Sequence, residues 1–228
     1  MANTSTKLVQ IETKAPPTIL KDRLQTGTTS QLTVDVAGLE KELKSNVKGE
    51  VRFSLADRGL YASDASNYRM IPLGVILPKN AEDVETAVAL CREYDAPIFA
   101  RGGGTGIPGQ TVNNGVLFDF SKYMNNVVEL NPEQKYARVQ PGAVLDTLRD
   151  AAEKHKLTFG PDPATHSRCT LGGMIGNNSC GVHSVMAGET VDNVDELDVL
   201  LYDGTRMTVG ETSDEEFNRV IQAGGRKA

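Results

Sequence analysis

A run of glycines between two short apolar segments constrains this chain more than any other feature. Residues 101–110 read RGGGTGIPGQ, with apolar segments at 97–100 and 116–120 on either side. Glycine allows positive φ angles and a close approach of the backbone to a ligand. Successive backbone N–H groups in such a loop form a concave nest for an anion, usually a phosphate. The loop is therefore predicted to hold a diphosphate, with a tight turn that needs glycine for steric reasons alone as the alternative.

Two better-known phosphate-binding motifs do not fit this loop. Residues 104–109 match G-x-G-x-x-G, but the dinucleotide-binding fold needs a helix to open within that motif. Here Pro108, Gly109 and a polar segment follow, and then comes a strand. No Gly-Lys-Ser/Thr sequence follows the glycines, so the P-loop pattern is absent as well. The match to the dinucleotide motif is therefore interpreted as a coincidence.

The composition narrows the class of protein. The chain has 228 residues, a formal net charge of −6 and no obviously basic face, which argues against nucleic-acid binding. It contains no apolar run of about 18 residues, so no membrane span is predicted. Three widely spaced cysteines indicate a reducing compartment, and three histidines show no metal-ligand spacing. We therefore expect a cytoplasmic protein, which would reach the inner membrane only through a partner.

Hydrophobic periodicity predicts alternating strands and helices in the first half of the chain. A strand–helix–strand unit implies a parallel pair, which would place the glycine loop at the carboxyl end of a strand, where ligands of α/β sheets bind. Alternation at Val51, Phe53 and Leu55 favours a further strand. The other predicted elements are a helix over 39–47, a strand over 73–77, a helix over 81–94 capped by Asn80, and strands over 97–100 and 116–120.

The second half has a different texture, with two predicted hairpins and a second glycine-rich segment at 160–181. No helix or strand is assigned to that segment. The predicted elements around it are a hairpin of 127–130 with 136–140, a helix from about 144 to 155, a hairpin of 195–202 with 206–209, and a helix over 215–228.

Several short motifs in fixed order carry a resemblance to a known family. They are Pro78 with the helix after it, RGGGTG at 101–106, VQPGA at 139–143, TLGG at 170–173 with NNSCG at 177–181, and the strand at 197–201 before Asp203-Gly204. Together they resemble the FAD-binding domain of the vanillyl-alcohol-oxidase type, also called the PCMH type. Within that family the chain is most similar to the D-lactate, glycolate and D-2-hydroxyglutarate dehydrogenases. The stretch 160–166 resembles large bacterial forms fused to an iron–sulfur module.

The resemblance implies an α+β fold with two lobes and FAD in the groove between them. A small parallel βαβ lobe would carry the diphosphate loop, and a mostly antiparallel sheet with helices would form the second lobe. The implied division is an N-terminal arm with a short helix at 1–48, a first lobe at 49–125 and a second, C-terminally truncated lobe at 126–228.

The resemblance also implies FAD as the cofactor, held without a covalent bond. Some members attach FAD through a histidine in the first glycine loop, whereas this loop has Thr105 and no histidine. The first loop would bind the diphosphate, and the second glycine-rich segment would pass close to the flavin ring and ribityl chain. No catalytic residue is assigned. The implied cofactor-binding residues are Arg101, Gly102, Gly103, Gly104, Thr105, Gly106, Ile107, Pro161, Asp162, Cys169, Thr170, Gly172, Gly173, Asn177, Asn178, Ser179 and Gly181.

Two of these residues, and the nearby His166, allow a second interpretation. Asn177 and Asn178 would equally suit a turn that needs left-handed backbone geometry. His166 is either a base beside the flavin or a loop histidine that makes only a backbone hydrogen bond.

The implied activity is oxidation of a 2-hydroxy acid by hydride transfer to flavin, with a quinone, a cytochrome or an iron–sulfur module as electron acceptor. Family members continue into a further glycine-rich stretch and a substrate-binding cap domain, and nothing after Gly210 resembles either. We therefore expect the N-terminal part of a larger dehydrogenase. Two other hypotheses of function remain open: a binding module that holds flavin without turnover, and a non-redox protein that binds another phosphate ligand.

Overall fold

Four strands form the sheet that carries the first glycine loop. The computed structural model describes residues 34–225, and there the sheet contains β1 (Glu50–Arg52), β2 (Gly74–Leu77), β3 (Ile98–Arg101) and β4 (Val116–Asp119). Their order is β1–β2–β4–β3. Strand β1 is antiparallel to β2, whereas β2 and β3 are each parallel to β4. The glycine loop therefore joins the carboxyl end of β3 to a parallel neighbour.

The predicted parallel orientation of β2 and β3 is confirmed, since each is parallel to β4, but the two strands are not direct neighbours, because β4 lies between them. All residues of β2 and β4 are buried, whereas β3 stays partly exposed. Strands that are apolar on both faces favour the interior of a parallel sheet. Strand β4 therefore occupies the interior and β3 the edge. The predicted absence of a helix from the loop at 102–115 is confirmed.

Three helices accompany this sheet: α1 (Val36–Asn46), α2 (Leu55–Leu60) and α3 (Ala81–Glu93). Helix α1 buries Leu39 and Leu43 completely in the core that it shares with α3 and the sheet. The side chain of Asn80 caps α3, as predicted. Helix α2 was not predicted, and Leu55 lies in it, not in a strand. It forms because the Ser54 side chain accepts a hydrogen bond from the backbone of Asp57, an N-cap signal present in the sequence.

The second half contains both predicted hairpins and both predicted helices. The hairpins are β5 (Val127–Asn131) with β6 (Tyr136–Val139), and β7 (Glu196–Leu200) with β8 (Arg206–Gly210). The helices and the one 3-10 turn in this part of the described chain are α4 (Leu145–Glu153), α5 (Leu171–Asn177), α6 (Ser184–Ala187), the turn Val191–Asn193 and α7 (Asp214–Ala223).

Helix α5 lies inside the second glycine-rich segment and was not predicted. Three of its seven residues are glycine, and each glycine lowers helix propensity by about 1 kcal/mol relative to alanine. Tertiary packing offsets this cost, because Leu171 and Met174 are buried in a second core cluster with α4. At Gly172 the close approach requires glycine, since a Cβ atom there would lie 2.8 Å from Pro141 Cβ.

The fold is of the predicted α+β class, with parallel and antiparallel sheets and flanking helices. Residues 34–225 belong to one compact unit, and the largest of its core clusters packs around the four-stranded sheet. Residues 1–33 of the arm predicted at 1–48 lie outside the described residues, as do the last three residues of the helix predicted over 215–228. The division into two lobes stays a prediction.

The Glu50 carboxylate connects β1 to the segment after β4, and the stabilisation by this contact depends on pH. Its carboxylate accepts hydrogen bonds from Lys122, Tyr123 and Arg52, and these lower its pKa from 4.5 to about 2. A carboxyl whose pKa is lower in the folded state stabilises the fold above its unfolded pKa and loses that contribution as the pH falls. We expect this contribution to disappear between pH 4.5 and 2.

Unfolding by urea at a series of pH values would test this expectation. The wild type should lose more stability between pH 4.5 and 2 than Glu50→Gln, which lacks the titrating group. Glu133→Gln, at an exposed turn position, is the control and should follow the wild type. Identical pH profiles for wild type and Glu50→Gln would contradict the role of Glu50.

Candidate cofactor-binding site

The first glycine loop has backbone N–H groups for which the described part of the chain provides no acceptor. Within residues 34–225, no acceptor receives a hydrogen bond from the backbone N–H groups of residues 102–107. Most of these residues are half-buried, whereas the Ile107 side chain is 76% exposed. The loop also contains a positive φ of 62° at Gly104, which alternates the direction of neighbouring amides. Such a loop is suited to bind an anion.

Arg101 places a positive charge beside this loop. Its guanidinium donates to the carbonyl of Ser63 at 2.9 Å and lies 5.6 Å from the centre of the Tyr61 ring. A Cβ atom on Gly104 would come within 2.6 Å of the guanidinium. Among the described residues no carboxylate forms a salt bridge with Arg101. Its positive charge, which also acts on the nearby Asp64 carboxylate, favours an anion at the loop.

The first loop packs directly on the second glycine-rich segment. A Cβ atom on Gly102 would lie 1.9 Å from Thr170 Oγ1, and one on Gly103 would lie 2.2 Å from the Arg168 carbonyl oxygen. The side chain of Gln110 donates to Asn177 Oδ1 at 2.9 Å. The structure thus brings together the predicted site residues at 102–103, 169–170 and 177.

The backbone N–H groups at the start of α5 differ from those of the first loop, because they donate to acceptors within the protein. Cys169 N–H donates to the Thr165 carbonyl at 2.8 Å and Gly172 N–H to the Pro141 carbonyl at 2.9 Å. Gly173 N–H donates to Thr170 Oγ1 at 3.4 Å. Burial raises the pKa of the Cys169 thiol, which holds it neutral. A diphosphate would therefore find its amide donors at the first loop.

Asn178 carries out the structural role that the sequence left as an alternative. It ends α5 with left-handed backbone angles, φ 46° and ψ 53°. Its Oδ1 accepts a hydrogen bond from Val191 N–H at 2.9 Å, and its Nδ2 donates to Glu189. Ser179 follows, and its carbonyl accepts from the Thr190 hydroxyl at 2.6 Å. These contacts connect the end of α5 to the turn before β7.

Three further predicted site residues lie in a separate region that has contacts of its own: Pro161, Asp162 and Gly181. A Cβ atom on Gly181 would lie 2.2 Å from the Asp162 carbonyl oxygen. Asp162 accepts from His183 N–H at 3.0 Å and also pairs with His183 Nδ1. The backbone bond from His183 is the first cause that lowers the pKa of Asp162. Sequence reasoning missed this His–Asp pair, because the two residues are 21 positions apart.

His166 does not follow the backbone-only interpretation. Its Nδ1 lies 2.8 Å from the carboxylate of Asp146, on α4. The exposed ring is therefore oriented by a carboxylate, and the residue that orients it could not be identified from sequence spacing.

Two further features are absent from the part of the chain that the structure describes. Within residues 34–225, no group of three His, Cys, Asp or Glu side chains is placed to hold a metal ion. In the same range, every helix is too short or too polar to cross a bilayer.

Half-buried amides without an acceptor among residues 34–225, next to the positive charge of Arg101, fit the diphosphate of a dinucleotide cofactor. Such a combination is suited to a phosphate-containing cofactor. The chain belongs to the family described as FAD binding domain, whose match covers residues 72–210. The resemblance to PCMH-type flavoproteins is thereby confirmed, and FAD is the cofactor of the family.

Two relatives show the similarity and its extent. A D-2-hydroxyglutarate dehydrogenase of Pseudomonas putida is 36% identical over 191 residues, which cover 82% of this chain and 19% of the relative. The glycolate oxidase subunit GlcD of Bacillus subtilis is 37% identical over 175 residues, covering 75% of this chain and 37% of the relative. The chain thus spans about a fifth to over a third of the length of these relatives.

A solved structure supports the fold. The wild-type BBE-like 1 protein of Physcomitrella patens matches with a TM-score of 0.66 and 20% sequence identity. The match covers 78% of this chain and 38% of that protein. At this identity the likeness establishes the fold alone.

Proposed function

We propose that this chain is the FAD-binding part of a flavin-dependent oxidoreductase that oxidises a 2-hydroxy acid of the D-lactate or glycolate type. The single observation that carries the proposal is the set of uncommitted amides at 102–107 in a member of the FAD binding domain family. The names of its relatives, D-2-hydroxyglutarate dehydrogenase and glycolate oxidase subunit, support the substrate class.

In this proposal several groups of the chain hold the cofactor. The amides of 102–107 bind the diphosphate, Arg101 contributes a positive charge beside them, and the Thr105 hydroxyl adds a donor. When bound, FAD supplies hydride acceptance at its isoalloxazine ring. The segment from Cys169 to Gly173 lies against the first loop and would hold the flavin end of the cofactor near it.

The cofactor is proposed to be non-covalent, because Thr105 occupies the loop position at which some members carry a histidine. The substrate would be held by a cap domain, and electrons would pass to a quinone, a cytochrome or an iron–sulfur module. Cytoplasmic location is proposed from the cysteines, all three of which are free thiols.

A second candidate function is a flavin-binding subunit that has no turnover of its own. The observation that favours it is the apolar surface at α6, where Val185 is 96% exposed and Met186 is 92% exposed. Contiguous apolar side chains at this exposure are typical of interaction surfaces. Turnover by the purified chain distinguishes the two candidates.

A visible absorption spectrum of the purified chain tests the proposal. We expect the two-banded spectrum of oxidised flavin, and we expect the colour to move to the supernatant after acid precipitation, because no covalent bond holds FAD. Colour retained in the pellet would contradict non-covalent attachment. A colourless chain that also fails to bind added FAD would contradict the proposed function.

Turnover is measured next, with D-lactate, glycolate and D-2-hydroxyglutarate and an artificial dye acceptor. Bleaching of the flavin by one of these acids, followed by dye reduction, supports the first candidate. A flavin spectrum that none of the three acids alters supports the second.

A further inference from the structure

We infer that the segment 61–70 positions the diphosphate loop, and that Asp64 and Thr111 form the contact that fixes it. This inference rests on the proposed function, since it concerns how the loop is kept ready for FAD. The sequence identified 61–66 only as a loop. Among residues 34–225, neither Asp64 nor Thr111 lies in a helix or a strand.

Backbone groups of the segment 61–70 contact the first half of the glycine loop. Ala65 N–H donates to the Gly104 carbonyl at 3.0 Å, and the Arg101 guanidinium donates to the Ser63 carbonyl at 2.9 Å. Because the peptide bond between Gly104 and Thr105 is trans, the Thr105 N–H points away from the Gly104 carbonyl. Binding of that carbonyl by Ala65 therefore turns the Thr105 N–H away from the segment and leaves it free for a ligand.

Asp64 fixes the far end of the same loop. Its Oδ2 accepts a hydrogen bond from the Thr111 hydroxyl at 2.6 Å, and its Oδ1 accepts from Ser66 N–H at 2.8 Å. Burial alone would raise the pKa of Asp64, but the hydrogen bonds from Ser66 and Thr111 outweigh it and lower the pKa. The carboxylate is therefore ionised at neutral pH, and its hydrogen bond to Thr111 is charge-assisted.

Tyr68 covers the loop between these two anchors. Gly109 has a positive φ of 87°, and a Cβ atom there would lie 2.4 Å from Cδ2 of the Tyr68 ring. The Ser66 hydroxyl accepts from Tyr68 N–H at 3.1 Å and so links the ring to the Asp64 turn. The segment thus contacts the loop at Gly104, Gly109 and Thr111, on both sides of the exposed Ile107.

This arrangement has an energetic consequence for cofactor binding. Among the described residues, the six backbone N–H groups of 102–107 make no hydrogen bond that would hold this part of the loop in shape. Without external anchors, ordering the loop would reduce the free energy available for FAD binding. The contacts from 61–70 supply this order before the ligand arrives. Asp64 and Thr111 are therefore positioning residues, which act on the cofactor through the loop.

Replacement of Thr111 tests the inference. Thr111→Val keeps the shape of the side chain but removes the hydroxyl, whereas Thr111→Ser keeps the hydroxyl. Thr208→Val, on the exposed face of β8, is the matched control. FAD dissociation constants are measured by quenching of flavin fluorescence, and unfolding of the apoprotein is followed by circular dichroism.

We expect Thr111→Val to weaken FAD binding about tenfold, which corresponds to about 1.4 kcal/mol. Thr111→Ser should bind within about twofold of the wild type, and the apoprotein of every variant should still unfold in one cooperative transition, which shows that each variant folds. Wild-type affinity in Thr111→Val would overturn the inference, as would weaker binding that Thr111→Ser does not restore. A wild type that binds no FAD would contradict the proposed function, and this inference with it.

Discussion

The substitution Gly103→Ala is expected to weaken FAD binding by about 100-fold or more. A Cβ atom at this position would lie 2.2 Å from the carbonyl oxygen of Arg168, which is backbone and cannot rotate away. Relief of such an overlap typically costs 1–3 kcal/mol and moves the backbone. The loop would therefore separate from the second glycine-rich segment, and its amides would no longer converge on one anion. The FAD dissociation constant measures the effect.

The control for this substitution is Gly176→Ala, which also adds one methyl group in the second glycine-rich segment. A Cβ atom at Gly176 meets nothing within 4 Å, and alanine favours the helix in which it lies. We expect it to bind FAD like the wild type. If Gly103→Ala also binds FAD with wild-type affinity, the close packing of the two glycine segments has no part in cofactor binding.

The substitution Asp83→Ala is expected to destabilise the protein by about 2–3 kcal/mol, because two backbone donors lose their acceptor. The Asp83 side chain is only 3% exposed. Its carboxylate accepts from Lys48 N–H at 2.8 Å and from Lys79 N–H at 2.9 Å. It therefore fixes the start of α3 to the segment between α1 and β1.

Urea unfolding measures this effect, with Glu82→Ala as the control. Glu82 lies in the same first turn of α3 and is exposed. Its replacement should change stability by less than about 0.5 kcal/mol. Equal stabilities of the two variants would show that the carboxylate of Asp83 is not needed to satisfy the two amides.

Local signals in the sequence were sufficient for most individual elements. The helix at 81–93 was predicted because Asn80 is a strong N-cap and apolar residues follow at helical spacing. Both hairpins were predicted from turn residues between apolar runs, and Gly204 at the second turn has a φ of 90°. The glycine loop was recognised because so many glycines at the end of a strand exceed the needs of a turn.

Features that depend on contacts distant in sequence could not be predicted. The insertion of β4 between β2 and β3 depends on which strand is buried on both faces. Helix α5 forms against its own propensity because Leu171 and Met174 find a core. Amides near α5 donate to acceptors within the protein, whereas among the described residues those of 102–107 have no acceptor. No spacing in the sequence indicates this difference.

Amide ¹H–¹⁵N spectra of the labelled chain, recorded with and without FAD, show whether the backbone N–H groups of 102–107 bind the diphosphate of FAD. We expect the amides of 102–107 to show the largest downfield shifts, because these N–H groups gain a charged acceptor. The amides of Gly172 and Gly173 should keep the hydrogen bonds that they already make. Saturation of the chain with FAD while the amides of 102–107 remain unshifted would contradict the proposed binding of the diphosphate.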